Sequence, residues 1–222
     1  MWRTEATGYG VALVTRAIIG GSVVDKTFAI QGMGNVGYFV AKFLTEWGMR
    51  LVAVGDQTSY RAHAEGLSLP KRGVTVDCWA SGHTINKARF FATSCDVIIP
   101  AALEMQIDKA VAQTMRCRYV VEAANGPITP EGETELEQRH IKIVPDILAN
   151  AGGVIVSYYE WVQNTQNERW SEEVVREKME ARMLPVVAEL RVHTESSRVL
   201  CFHRALRNLE EAFSELHGNR GV

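Results

Sequence analysis

Gly32, Gly34 and Gly37 stand in the order G-x-G-x-x-G, with Met33, Asn35 and Val36 between them. A short apolar run, TFAIQ (27–31), leads into them, and Val36, Phe39, Val40, Phe43, Leu44 and Trp47 follow at helical spacing on one face. The chemistry this setting offers is phosphate binding. Gly32 makes the tight turn, Gly34 lets a pyrophosphate approach the backbone, and Gly37 brings helix against strand. The free N–H groups and positive end of the helix would hold the anion. Asp56 closes the second apolar run, LVAVGD (51–56), where a carboxylate hydrogen-bonds the adenosine ribose. Its charge would repel a 2′-phosphate, so NAD is expected, with NADP open if an arginine from elsewhere offsets it. A plain strand-to-helix turn followed by a turn aspartate is the alternative left open.

Three further groups stand at the ends of later apolar runs: Pro100-Ala101-Ala102, Glu122 to Pro127, and Pro145 to Gly153. Ligands bind at the carboxyl ends of strands in parallel sheets, so Asn125 and Asn150 are candidates for the nicotinamide end. An amide offers a carboxamide or ribose both a donor and an acceptor. Asn125-Gly126-Pro127 also reads as a turn, and Gly152-Gly153 as a helix entry or a point of close ligand approach.

The elements that must position these residues alternate from Lys26 to Pro145. The runs TFAIQ, LVAVGD, DVIIPA (96–101), YVVEAA (119–124) and IKIV (141–144) are near-continuously apolar, as strands buried on both faces are. Helices are expected at 35–47, 103–115 and 131–139. The succession predicts an α/β fold, a Rossmann-like, doubly wound, mostly parallel sheet with extra N- and C-terminal helices. A helix is expected over Thr7–Ile19, stopped by Gly20-Gly21, another from Gly152-Gly153 through Trp161, and another after Ser171 as N-cap. The last carries Val199, Phe202, Leu206, Leu209, Phe213 and Leu216 as one apolar stripe, read as packing surface. Between Gln57 and Phe90 an irregular excursion is expected, with at most a short strand at Val74–Cys78. Residues 1–168 are read as the dinucleotide-binding domain and 169–222 as a helical extension.

The chain has 222 residues, 46% hydrophobic and 23% charged, which suits a soluble globule. A net charge of −2 gives no footprint for nucleic acid. No apolar stretch reaches the roughly 18 residues of a membrane span, and the first residues lack a signal pattern, so a cytoplasmic protein without a membrane partner is expected. Cys78, Cys95, Cys117 and Cys201 are widely spaced with no CxxC pair, so neither a metal site nor a disulfide frame is expected.

Five stretches, RTEATGYGV, FAIQGMGNVG, CDVIIPAALE, VEAANGPITP and IVPDILANAGGVIVSYYEWVQN (143–164), together resemble the cofactor-binding domain of glutamate dehydrogenases. The likeness covers 3–58 and 90–170, and more loosely the closing helices. It implies that Thr7, Gly32, Gly34, Asn35, Val36, Gly37, Asp56, Ala101, Ala102, Asn125 and Asn150 face the dinucleotide. It also implies that Ser157 meets the side-chain carboxylate of glutamate, with Val154 beside it. Leucine, valine and phenylalanine dehydrogenases share NAGG without that serine, although a helix serine can also bond its own backbone.

The implied reaction is reversible oxidative deamination of L-glutamate to 2-oxoglutarate and ammonia, with hydride passing from the α-carbon to the nicotinamide. The lysine and acid-base carboxylate of such chemistry sit, in this family, on an N-terminal substrate domain expected to be absent here. No catalytic residue is therefore assigned, and the chain alone is expected to be inactive. Lys71, in LPKRGV, is the nearest imitation and falls in the divergent excursion. A partner in oligomers with full-length subunits, a non-catalytic NAD-binding protein, or a dehydrogenase of another amino acid are the alternatives. Three departures from the family pattern are expected to weaken polar contacts: Gly55 for serine, Met105 for asparagine and Ile128 for threonine.

Overall fold

The computed structural model describes residues 3–193 and 196–218, and the side chains of 5–193 and 196–215; Leu216 of the apolar stripe lies outside the latter. Its strands are β1 (Thr27–Gln31), β2 (Arg50–Gly55), β3 (Tyr60–Ala62), β4 (His83–Ile85), β5 (Val97–Pro100), β6 (Tyr119–Val121) and β7 (Lys142–Val144). Its helices are α1 (Arg3–Ile19), α2 (Asn35–Glu46), α3 (Lys87–Phe91), α4 (Lys109–Thr114), α5 (Pro130–Gln138), α6 (Asp146–Ala149), α7 (Gly152–Gln166), α8 (Glu172–Val192) and α9 (Ser197–Gly218).

One sheet runs in the order β4-β3-β2-β1-β5-β6-β7, parallel from β2 to β7 and antiparallel only at β3 and β4. After β1 the chain first builds outward through β2, then returns to β5 on the other side of β1. That reversal opens a crevice at the carboxyl ends of β1 and β5, where such sheets take ligands.

Alternate strand residues feed two cores. Phe28, Ile30, Leu51, Val97, Ile99, Val121 and Val144 face a core shared with α1, α2, α7 and α8. Ala29, Ala53, Ile98, Val120 and Ile143 face a second one with Phe90, Phe91, Met115 and Leu136. Burial on both faces is why the strands read as unbroken apolar runs rather than alternating ones.

The N-terminal helix is central rather than peripheral. Val11 to Thr15 of α1 have no exposed surface, and the Thr15 hydroxyl is satisfied by donating to the Val11 carbonyl at 2.8 Å. Burying Leu13 alone contributes about 1.5–3 kcal/mol. Gly8 lets α2 approach, since a Cβ there would meet Phe39 Cβ at 2.5 Å, and Gly10 faces the Gly152 backbone of α7. Met179, Met183, Val187 and Leu190 of α8 close the far side of the same core.

Three expectations are corrected. The excursion at 57–90 is not irregular throughout: β3 and β4 extend the sheet, and Val74–Cys78 holds a single 3-10 turn over Val76–Cys78 instead of a strand. The helix expected at 103–115 is confined to Lys109–Thr114, because Met105 takes φ +53 and Asp108 caps the helix at Val111 N, 2.8 Å. Gly152 and Gly153 open α7, the helix entry expected of them, and also pack closely: added Cβ atoms would meet the Ala6 carbonyl at 2.5 Å and Thr7 Oγ1 at 2.3 Å. The outward row of α9, from Val199 (44% exposed) through Phe202 and Leu206 to Leu209 (66%), is exposed rather than packed.

Candidate functional site

Gly32 sits at the sheet's reversal point with φ +100, and a Cβ there would lie 2.5 Å from the Ala101 carbonyl. At Gly37 it would lie 1.8 Å from the Gly32 carbonyl oxygen, so these two glycines are fixed by the packing of α2 on β1 and β5. Gly34 differs, because nothing lies within 4 Å of an added Cβ. No side chain caps the start of α2 at Gly34, and its first turn holds no acid. An open glycine before uncapped N–H groups fits a pyrophosphate.

Asp56 follows β2 and anchors the loop beyond it. Its Oδ1 accepts from Thr58 N (2.7 Å), Thr58 Oγ1 (2.5 Å) and Ser59 N (3.1 Å), and its Oδ2 from Val76 N (2.9 Å). Burial works against its charge, but the bonds from Thr58, Val76 and Ser59 outweigh it and hold the carboxyl below its usual range. Asp56 borders a cavity of about 430 Å³ with Gly34, Tyr60, Val74, Thr75 and Ala102. Gly55 explains itself here, for a Cβ would lie 2.1 Å from the Tyr60 ring. Tyr60 Oη in turn accepts from Gln31 Nε2 at 3.1 Å.

Thr7, Val36, Ala101, Ala102, Asn125, Asn150, Val154 and Ser157 line another cavity, of about 800 Å³, which shares Ala101 and Ala102 with the first. These residues come from five separate stretches, and the fold brings them together. Asn150 Nδ2 donates to Asn125 Oδ1 at 2.7 Å. Ser157 Oγ donates to the Gly153 carbonyl at 2.9 Å, the local bond open to any helix serine. Asn35 lines neither cavity; its Oδ1 accepts from Arg72 Nη2 at 2.5 Å.

Arg72 was not singled out from sequence, though the basic pair in LPKRGV beside Gly73 was its only signal. Glu104, Tyr60 and Gln31 were also missed as site-lining residues. Ile128 is buried in the second core and bridged to Ile107, where a hydroxyl side chain would need a buried partner. Among the described residues no cluster of His, Cys, Asp or Glu could hold a metal, and no helix is long and apolar enough to cross a membrane.

The sequence profile for glutamate/leucine/phenylalanine/valine dehydrogenase matches residues 1–216. The NAD-specific glutamate dehydrogenase of Peptoniphilus asaccharolyticus is 39% identical over 199 residues, covering 83% of this chain and 47% of that protein. The cryptic catabolic NAD-specific glutamate dehydrogenase GudB of Bacillus subtilis is 39% identical over 190 residues, 82% of this chain and 44% of that protein. The crystal structure of a hetero-hexameric glutamate dehydrogenase from Thermus thermophilus aligns with a TM-score of 0.80 at 32% identity, over 99% of this chain and 54% of that one. The chain spans about half the length of the curated relatives it matches.

Proposed function

The chain belongs to the glutamate/leucine/phenylalanine/valine dehydrogenase family, and from that premise we propose that it is the NAD-binding part of a glutamate dehydrogenase. The observation that carries this reading is the convergence of Thr7, Asn125, Asn150 and Ser157 on one cavity beside the open Gly34 cradle. Gly34 and the first turn of α2 would hold the pyrophosphate, Asp56 the adenosine ribose, and Asn125 and Asn150 the nicotinamide end. The dinucleotide would supply the hydride acceptor for deamination of L-glutamate to 2-oxoglutarate.

Ser157 would turn from the Gly153 carbonyl to the substrate's side-chain carboxylate, which favours glutamate over an apolar amino acid. The cavity's lining carries Glu104 as its one titratable side chain among the described residues, and no lysine or arginine. Deamination needs cations for the substrate carboxylates and an acid-base pair, so this chain alone is read as binding without turning over. The reading keeps the division at 168/169 and a cytoplasmic location, with NAD preferred because the Asp56 charge disfavours a 2′-phosphate.

Titration of the purified chain with NADH and NADPH by fluorescence, beside an assay of glutamate-dependent NAD reduction, tests it. NADH binding several-fold tighter than NADPH without turnover is expected; absence of NADH binding sinks the reading of the site, and turnover by the chain alone sinks that of its inactivity. A second reading, a non-catalytic partner of full-length subunits, is favoured by the exposed row Phe202, Leu206 and Leu209 on α9. Co-purification with a full-length dehydrogenase would support it.

A further inference from the structure

Arg198, in the first turn of α9, places its guanidinium among carboxylates from three other parts of the fold. Nε donates to Glu133 Oε2 at 2.7 Å, Nη1 to Asp146 Oδ1 at 3.1 Å, and Nη2 to Glu122 Oε1 at 2.7 Å. Glu122, at the end of β6, has no exposed surface, and its Oε2 accepts from the Asp146 backbone N–H at 2.8 Å. Asp146 passes the connection on, its Oδ2 accepting from Gly126 N at 2.8 Å. Gly126, at φ +51, follows Asn125, and Asp146 opens the single turn of α6 that ends at Asn150.

We propose that Arg198 is a positioning residue that fixes the spacing and aim of Asn125 and Asn150, the two amides facing the large cavity. The inference rests on the dinucleotide reading of that cavity. Arg198 itself is not among the residues lining it. Its planar fork suits the task, because three carboxylates in three directions need three fixed donors, which a lysine's single ammonium cannot supply in that geometry. A buried ion cluster is weak evidence for stability, since desolvation offsets its attraction, whereas its geometry is highly constrained. Burial pushes the Glu122 carboxyl up to about 7 even with the Arg198 bond holding it down, so the guanidinium is what keeps an anion there near neutrality.

The test compares two ligands on the whole chain: NADH, and ADP-ribose, which keeps the adenosine and pyrophosphate but has no nicotinamide. Arg198→Lys is expected to weaken NADH about tenfold while ADP-ribose changes by less than about twofold. Asp146→Asn provides a second route, since its amide NH2 must face either Arg198 or Gly126, both donors; the same selective loss is expected. Glu133→Gln removes a charge but keeps an oxygen that can accept from Arg198 Nε, and should leave both ligands within about twofold. Equal weakening of both ligands by Arg198→Lys and Asp146→Asn, or no weakening of either, overturns the proposal. If Arg198→Lys does not fold, Asp146→Asn decides alone. Wild-type chain that bound neither ligand would overturn the dinucleotide reading itself, and wild-type chain that bound ADP-ribose but not NADH would overturn the positioning role alone.

Discussion

Asn150 Nδ2 and Asn125 Oδ1 are 2.7 Å apart, so the two amides that the sequence singles out for one end of a dinucleotide are each other's hydrogen-bond partners. Each therefore holds the other's orientation, and truncating one releases the survivor. Asn125→Ala and Asn150→Ala should each weaken NADH about tenfold. The double variant should fall well short of a hundredfold loss, with a coupling on the order of 1 kcal/mol. A fluorescence-titration double-mutant cycle measures this, and strictly additive losses would show the amides acting independently.

Two glycines of the cradle, Gly37 and Gly34, are predicted to fail in different ways. Gly37→Ala would put a Cβ 1.8 Å from the Gly32 carbonyl oxygen, backbone that cannot step aside, so α2 must shift and stability should drop by roughly 2 kcal/mol or more. Gly34→Ala meets nothing within 4 Å and should melt within a few degrees of the parent. Its methyl group would instead occupy the approach to the uncapped N–H groups, so NADH binding should fall about tenfold or more. Paired melting curves and titrations separate the outcomes; a Gly34→Ala protein that binds NADH normally would contradict the cradle.

How legible these features were depends on what stabilises each. Strands β1, β2, β5, β6 and β7 showed because both faces are buried, and Ser171 showed as an N-cap because its bond to Val174 N is local. Strands β3 and β4 carry three half-buried or exposed residues each, and their order comes from pairing, β3 to β2 and β4 to β3, which no local period reveals. The spacing of Val199, Phe202, Leu206 and Leu209 correctly placed them on one face but could not say what, if anything, covers that face. The site's asparagines were visible from turn chemistry at strand ends. The arginine that reaches their loops was not, since Arg198 joins residues 52 to 76 positions away.

Met105 marks a point of backbone strain. It adopts φ +53, in the left-handed region, and is 66% exposed, so little packing offsets a side chain that disfavours that conformation. Asparagine tolerates that conformation better. Met105→Asn should raise stability by roughly 0.5–1 kcal/mol with ligand affinity unchanged. Urea unfolding of the two proteins checks this, and a less stable variant would show that Met105 makes a contact worth more than the strain.

Glu122 gives the fold a pH dependence of unusual sign for a carboxylate. Burial raises its pKa from 4.5 to about 7, against the opposing pull of Arg198, so the folded chain holds the proton more tightly than the unfolded chain. Its contribution is fully present below about pH 4.5 and is lost as pH rises through about 7. Asp56 works the other way, its lowered pKa adding stability above the usual carboxylate range, so the net profile mixes the two. Glu122→Gln isolates the first: the stability of wild type relative to this variant should decline by on the order of 3 kcal/mol between pH 4.5 and 8. Urea unfolding of both proteins across that range provides the measurement. Parallel curves would mean that Glu122 stays ionised throughout, with Arg198 and the Asp146 N–H outweighing its burial.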